Sequence, residues 1–209
     1  MHDIITFGNN KLHKNWANFS LPTELTCPKQ TEYCKQYCYA KKAEAQYYKT
    51  VPQFKKANYI LSQSDSFIDL MINKINNKKE KIKVFRIHVS GDFYSQEYFN
   101  KWCEIARNFS IIPFIAFTRN NDLNLQLKPQ NLILKYSIEM FEGIDKKKLN
   151  IVFKENKGFD GISLVIKKEE NAENEILKQN FYLCKYKQDK CGYNCTKCTT
   201  KSNILFIKH

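Results

Sequence analysis

The chain has no apolar run approaching the roughly 18 residues that a membrane-spanning helix requires. Its first ten residues, Met1 to Asn10, carry no basic-then-apolar leader. Both absences predict a soluble, cytoplasmic protein whose thiols stay reduced, with no membrane partner. No repeat of solenoid length runs through it, and low complexity is confined to Lys/Asn-rich turns such as Asn76 to Lys83. No paired-carboxylate motif supports a metal-dependent nuclease. Arginine is scarce, at three of the 34 basic residues.

Positive charge and thiols are what the chain has in quantity. The net charge is +13 and the pI about 9.3, the electrostatic footprint of a protein that binds nucleic acid through a basic surface. The same Lys-, Asn- and Ile-rich composition also follows from an AT-rich genome, so charge alone leaves both readings open. With 209 residues and 43% hydrophobic content, the chain can build one domain with a small appended module.

Seven of the eight cysteines fall into two groups that open with one spacing. Cys27, Cys34 and Cys38 read C-x6-C-x3-C; Cys184, Cys191, Cys195 and Cys198 read C-x6-C-x3-C-x2-C. Thiols this dense in a reducing compartment point to a metal or an iron–sulfur cluster rather than to disulfides. Four thiolates can close a site, whereas three leave a coordination position open for a ligand. Iron–sulfur and zinc both remain open for each group, and so does one site drawn from the two together. Gly192 permits a tight turn within the second group. The eighth cysteine, Cys103, sits beside Phe99 and Trp102 on an apolar helical face and reads as an ordinary buried thiol.

Between the groups the pattern alternates strand and helix. The first 26 residues read as irregular. Tyr39 to Tyr48 favours helix, and a second helix starts at Pro52 and runs toward Leu61. Ser66-x-x-Asp69 is a capping signal ahead of the stripe Phe67, Leu70, Met71 and Ile75. Ile82 to Val89 is a β-branched strand stopped by Ser90-Gly91-Asp92. Ser95 caps a helix with Tyr98, Phe99, Trp102, Ile105 and Ala106 on one face. Ile112 to Phe117 is the next strand, ending in Thr118-Arg119, and Leu132 to Ile138, Leu149 to Phe153 and Ile162 to Ile166 read as strands too. Such units predict an α/β fold with a parallel sheet. Lys167 to Gln179 reads as a charged link to the second cysteine group.

Alternation along Ile82 to Val89 puts Arg86 and His88 on one strand face, where a ligand pocket or core partners would have to satisfy them. Arg119, at the end of the following strand, is a candidate for a carboxylate or phosphate, or a solvated arginine. Asp92 either offers a carboxylate to an ammonium or caps an ordinary turn.

The loop C-K-Q-Y-C-Y-A, Cys34 to Ala40, resembles the cluster loop of radical S-adenosylmethionine proteins. Together with the strand F-R-I-H-V-S-G-D-F, Phe85 to Phe93, it makes the chain similar to the phage gene product 88 family, from about Leu21 to Cys198. The resemblance implies a truncated, partial (β/α) barrel over residues 1–180 and a cysteine-rich metal module over 181–209. It implies a [4Fe–4S] cluster on Cys27, Cys34 and Cys38, and S-adenosylmethionine bound near Ser90, Gly91, Asp92, His88 and Arg119. Cys184, Cys191, Cys195 and Cys198 would hold a second cluster, or zinc. The spacing departs from the usual C-x3-C-x2-C. The implied activity is that of an iron–sulfur enzyme acting on nucleic acid or a nucleotide. The competing expectation is a metal-stabilised nucleic-acid-binding protein without radical chemistry.

Overall fold

A computed structural model describes residues 3–9, 12–155, 158–167, 174–184 and 195–207. Its frame is one eight-stranded, mostly parallel sheet. The strands are β1 (Thr6–Phe7), β2 (Trp16–Phe19), β3 (Val84–Ile87), β4 (Phe114–Thr118), β5 (Leu132–Met140), β6 (Gly161–Ile166), β7 (Tyr182–Leu183) and β8 (Ile204–Ile207). Their spatial order is β1-β2-β3-β4-β5-β6-β8-β7, and only β1 against β2 is antiparallel. Residues on both sides of position 180 share this sheet, because β8 inserts between β6 and β7. The first 26 residues, expected to be irregular, contribute β1 and β2. These short strands carry too little local signal; β2 is held by pairing with β3, and β1 by pairing with β2.

One face of the sheet is covered by helices. Those up to β3 are α1 (Thr23–Thr26), α2 (Glu32–Tyr37), α3 (Tyr39–Gln46), α4 (Val51–Gln63) and α5 (Phe67–Asn76). Next come α6 (Gln96–Arg107), α7 (Lys146–Lys154) and α8 (Glu175–Asn180). Ser95 caps α6 by accepting from the Tyr98 amide at 3.1 Å, as its sequence predicts. The apolar stripe of α6 delivers Trp102 into the core, with ring centroids 5.4 Å from Phe19 and 5.6 Å from Phe67 and Phe85. Full burial of one such aromatic stabilises by roughly 2–3 kcal/mol. Cys103 is buried in the same cluster. Ser66 precedes α5 but makes no cap bond; its hydroxyl pairs with that of Ser64 instead.

Leu149 to Phe153, expected to be a strand, lies inside helix α7. Asp145 accepts from the Lys148 amide at 2.9 Å and starts the helix, while Leu149, Val152 and Phe153 pack at helical spacing on the second core cluster. A five-residue apolar run suits either period, and the cap with its neighbours decided. The charged stretch 167–179 was expected to be a link; its end, from Glu175, begins α8, capped by Asn174.

The opposite face carries Trp16, Val84, Arg86, Ile115, Phe117, Ile133, Lys135 and Phe206 by alternation. Phe117 of β4 and Phe206 of β8 meet on it at 5.8 Å between ring centroids. Three strand spacings separate β4 from β8, about 14 Å in a flat sheet. The sheet is therefore strongly curled, with this face concave. No helix of the described residues is long and apolar enough to cross a membrane.

Candidate site at the carboxyl edge of the sheet

The end of β3 is built around three unusual residues. His88 has φ 63, a left-handed conformation that costs a non-glycine residue strain energy. That reversal breaks the alternation, so Arg86 and His88 do not share a face as expected. Arg86 stays on the concave side, with its guanidinium 4.1 Å from the Phe117 ring centroid and its Nε donating to the His88 carbonyl at 3.1 Å. The His88 ring turns to the helical side, where Nε2 lies 2.9 Å from the Tyr98 hydroxyl. Burial, reinforced by the Arg86 charge, lowers the His88 pKa to about 3, so the ring is neutral.

Gly91 follows, with φ +86. A Cβ here would come within 2.7 Å of both Leu21 Cβ and Thr26 Oγ1. Its absence lets the segment leading to Cys27 lie against the strand end, where Leu21 N donates to the Ser90 carbonyl and Ser90 Oγ to the Leu21 carbonyl, each at 2.9 Å.

Asp92 is buried and ties β3 to β4. One carboxylate oxygen accepts from Phe93 N at 2.7 Å and Thr118 Oγ1 at 2.5 Å; the other accepts from Arg119 N at 2.9 Å. Three of its roughly four acceptor positions are thus taken, leaving one on Oδ2. Burial raises its pKa to about 6 against these hydrogen bonds and the Arg119 charge. The side chain of Arg119 pairs with Glu139 at the end of β5, and Glu139 also accepts from Thr31. Glu139 and Thr31 were not singled out by sequence reasoning. Lys135, Ser137 and Glu139 alternate with apolar residues along β5, a pattern that marks one polar face.

The first cysteine group lies over this edge. Thr31 caps α2 by accepting from Cys34 N at 3.1 Å while its hydroxyl holds Glu139, and Tyr33 stacks on Phe141 at 3.6 Å between centroids. The Tyr39 hydroxyl donates to the Val89 carbonyl. Cys38 begins α3 and is drawn down to about pH 5 by a hydrogen bond from Cys34, helped by the amides of Lys41 and Ala40. The same contact, with burial, raises Cys34. Cys27 is pushed up to about 12 by burial, with Asp92 and Cys38 adding to the effect and Arg119 opposing it. Cys27 therefore lies in the field of Asp92, Arg119 and Cys38, and Cys34 in that of Arg119 and Cys38. No three His, Cys, Asp or Glu side chains among the described residues are close enough, as they stand, to hold a metal ion.

The second group lies elsewhere. Cys198 packs on the concave face against the cluster of Leu12, Trp16, Val84, Ile115 and Ile133, residues at or near the amino ends of their strands. Cys184 follows β7, and Cys195 precedes β8. Cys191 and Gly192 lie outside the described residues.

A curled, mostly parallel α/β sheet with a thiol-bearing loop over its carboxyl edge defines the class of protein. Within that class the chain belongs to the phage gene product 88 family, whose sequence profile, described as "Gene product 88", matches residues 3–204. The "Gene 88 protein" of Mycobacterium phage D29 is 30% identical over 168 residues, covering 71% of this chain and 70% of that relative. The protein of the same description from Mycobacterium phage L5 is 28% identical over 168 residues, with the same coverage. No solved structure matches the chain.

Proposed function

We propose that Cys27, Cys34 and Cys38 hold a [4Fe–4S] cluster with one open iron, and that the protein is a radical S-adenosylmethionine-like enzyme acting on nucleic acid. The observation that carries this is the three-thiol loop held over the Asp92 and Arg119 end of a parallel sheet, at the carboxyl edge where such sheets bind their ligands. The donor set fits: soft thiolates suit iron–sulfur chemistry, and the Arg119 guanidinium and the α3 amino end offset their charge. The remaining acceptor position of Asp92 fits an ammonium group. When bound, a cluster of this type supplies one-electron cleavage of S-adenosylmethionine and hydrogen abstraction.

The chain's own residues do the rest. Thr31, Glu139 and the Tyr33–Phe141 stack fix the cysteine loop on β5. Gly91 admits the segment before Cys27, and Asp92 orients the ligand's amino group. Tyr37, Tyr39, Tyr47 and Tyr48 are exposed beside Lys42 and Lys49, a combination suited to stacking bases and neutralising phosphates.

The test is anaerobic reconstitution with iron and sulfide, followed by calorimetry with S-adenosylmethionine. Wild type is expected to be brown and to bind. Cys34→Ala with Cys38→Ala should lose both properties, and Asp92→Asn should keep the iron and lose the ligand. If wild type takes up iron but no S-adenosylmethionine, the enzyme reading fails and a metal-stabilised nucleic-acid-binding protein replaces it.

A further inference from the structure

Helix α4 is built against the usual pattern. A helix laid on a sheet buries its apolar stripe. The fully buried positions of α4 are instead Lys55, Asn58 and Ser62, at 6%, 0% and 0% exposure, while Ile60 is 60% exposed. Spaced three and four apart, they form one inward face about 10 Å long. Burying an ammonium, an amide and a hydroxyl is costly unless each finds a partner. Each does, and the three partners lie on three different segments of the candidate site.

Lys55 donates to Glu44 Oε1 at 2.8 Å, a largely buried ion pair that fastens α3, the helix begun by Cys38. The Glu44 charge is also felt at Cys38. Asn58 Nδ2 donates to the Ser20 carbonyl at 3.0 Å and so holds the segment that continues through Leu21 to Cys27. Ser62 Oγ donates its one proton to the Tyr59 carbonyl at 2.7 Å. Its 2.8 Å contact with Tyr94 is therefore one in which the Tyr94 hydroxyl donates. Tyr94 stands two residues after Asp92, and its ring stacks at 4.4 Å between centroids on Tyr98, which in turn meets His88. Apolar contact holds surfaces together without direction, whereas a hydrogen bond fixes a distance and an angle. Three such bonds along one helix set the spacing of Cys38, the approach to Cys27 and the Asp92 turn.

We propose that Lys55, Asn58 and Ser62 are positioning residues of the carboxyl-edge site: Lys55 for the Cys34–Cys38 loop, Asn58 for the approach to Cys27, and Ser62 for the Asp92 turn. The role rests on the site reading given above, and all three side chains act through the segments they hold. An apolar residue of similar size in place of a buried polar one is often neutral for stability where no charge is stranded. Site and fold therefore respond differently to these substitutions.

The first experiment uses the full chain without metal. Maleimide labelling, followed residue by residue by mass spectrometry, reports how firmly each thiol is held, with buried Cys103 as the internal standard. Lys55→Met with Glu44→Gln should speed labelling of Cys34 and Cys38 roughly five- to tenfold, the factor one hydrogen bond supports. Glu44→Gln alone removes the charge but keeps an acceptor for Lys55, and should label as wild type. Asn58→Leu should speed Cys27 by a similar factor. Cys103 should not change, and melting temperatures should stay close to that of wild type. The second experiment is calorimetry with S-adenosylmethionine on iron-loaded protein, where Ser62→Ala should weaken binding roughly five- to tenfold at unchanged iron content. If wild type takes up no iron or binds no S-adenosylmethionine, the enzyme reading fails and the labelling alone decides this proposal. Should the Lys55 double variant not fold, Asn58→Leu carries the labelling test. Variants that melt lower yet label and bind as wild type would show a merely structural helix and overturn the proposal. Faster labelling that extends to Cys103 would overturn it too, because it reports general loosening of the core.

Discussion

His88 carries the most information per atom of any side chain in the chain. Among the described residues it is the one non-glycine with a left-handed backbone, and its neutral ring is buried against Tyr98 and Phe93. An unfolded histidine titrates near its ordinary 6.5, whereas here the value falls to about 3. Between those limits the unfolded chain binds the extra proton, so stability rises with pH. The contribution of a neutral His88 is complete above about pH 6.5 and is lost as the pH falls toward 3. His88→Phe should therefore destabilise the protein less at pH 5 than at pH 7, because wild type alone pays this protonation penalty. Denaturant unfolding of both proteins across that range checks it; a difference that stays constant with pH would refute the assignment.

At the level of elements, the join between the end of β3 and the segment entering Cys27 is the critical contact. Gly91 serves it twice, through its positive φ and through the space a Cβ would need. Gly91→Ala should cost at least about 1–3 kcal/mol of stability from backbone strain alone, with steric displacement added. Because the displaced segment carries Cys27, iron uptake at the first site should fall as well. Gly143 is the proper control: its φ is +133, yet nothing lies within 4 Å of a Cβ built there. Chemical denaturation should rank Gly91→Ala as clearly the worse of the two. Equal losses would mean that the close approach to Leu21 and Thr26 is unimportant.

The whole molecule carries a net charge of +13, and its exposed tyrosines cluster with lysines on α3 and the turn after it. Helix α3 extends for about 12 Å from Cys38, so this surface continues directly from the mouth of the proposed site. Binding of a fluorescent single-stranded oligonucleotide should weaken steeply between low and physiological salt, as counterion release requires. Tyr47→Ala and Tyr48→Ala should each cost about 1–3 kcal/mol in affinity. Lys42→Gln and Lys49→Gln should each reduce the salt slope by about one. Anisotropy titrations at several salt concentrations measure both effects. A salt-independent affinity that ignores all four substitutions would remove nucleic acid as the substrate class.

Local pattern by itself determined the cysteine spacings, a strand ahead of Ser90-Gly91-Asp92 (though it ends at Ile87 and not at Val89), the capped stripe of α6 with its buried Cys103, and the strand that delivers Arg119. Each depends on neighbours within a turn or a pleat, which sequence order already supplies. Tertiary structure decided the rest. Leu149 to Phe153 became helix because Asp145 caps it and the second core takes a helical stripe. His88 left the face of Arg86 because one reversed φ undoes every alternation rule beyond it. Glu139 joined the site because pairing of β4 with β5 brings the ends of those strands together, 20 residues apart in the chain. The first cysteine group and Cys198 of the second lie toward opposite ends of the parallel strands, one over the carboxyl edge and the other near the amino ends. Separation across a sheet follows from strand order and curl, and those come from long-range pairing that no local period encodes.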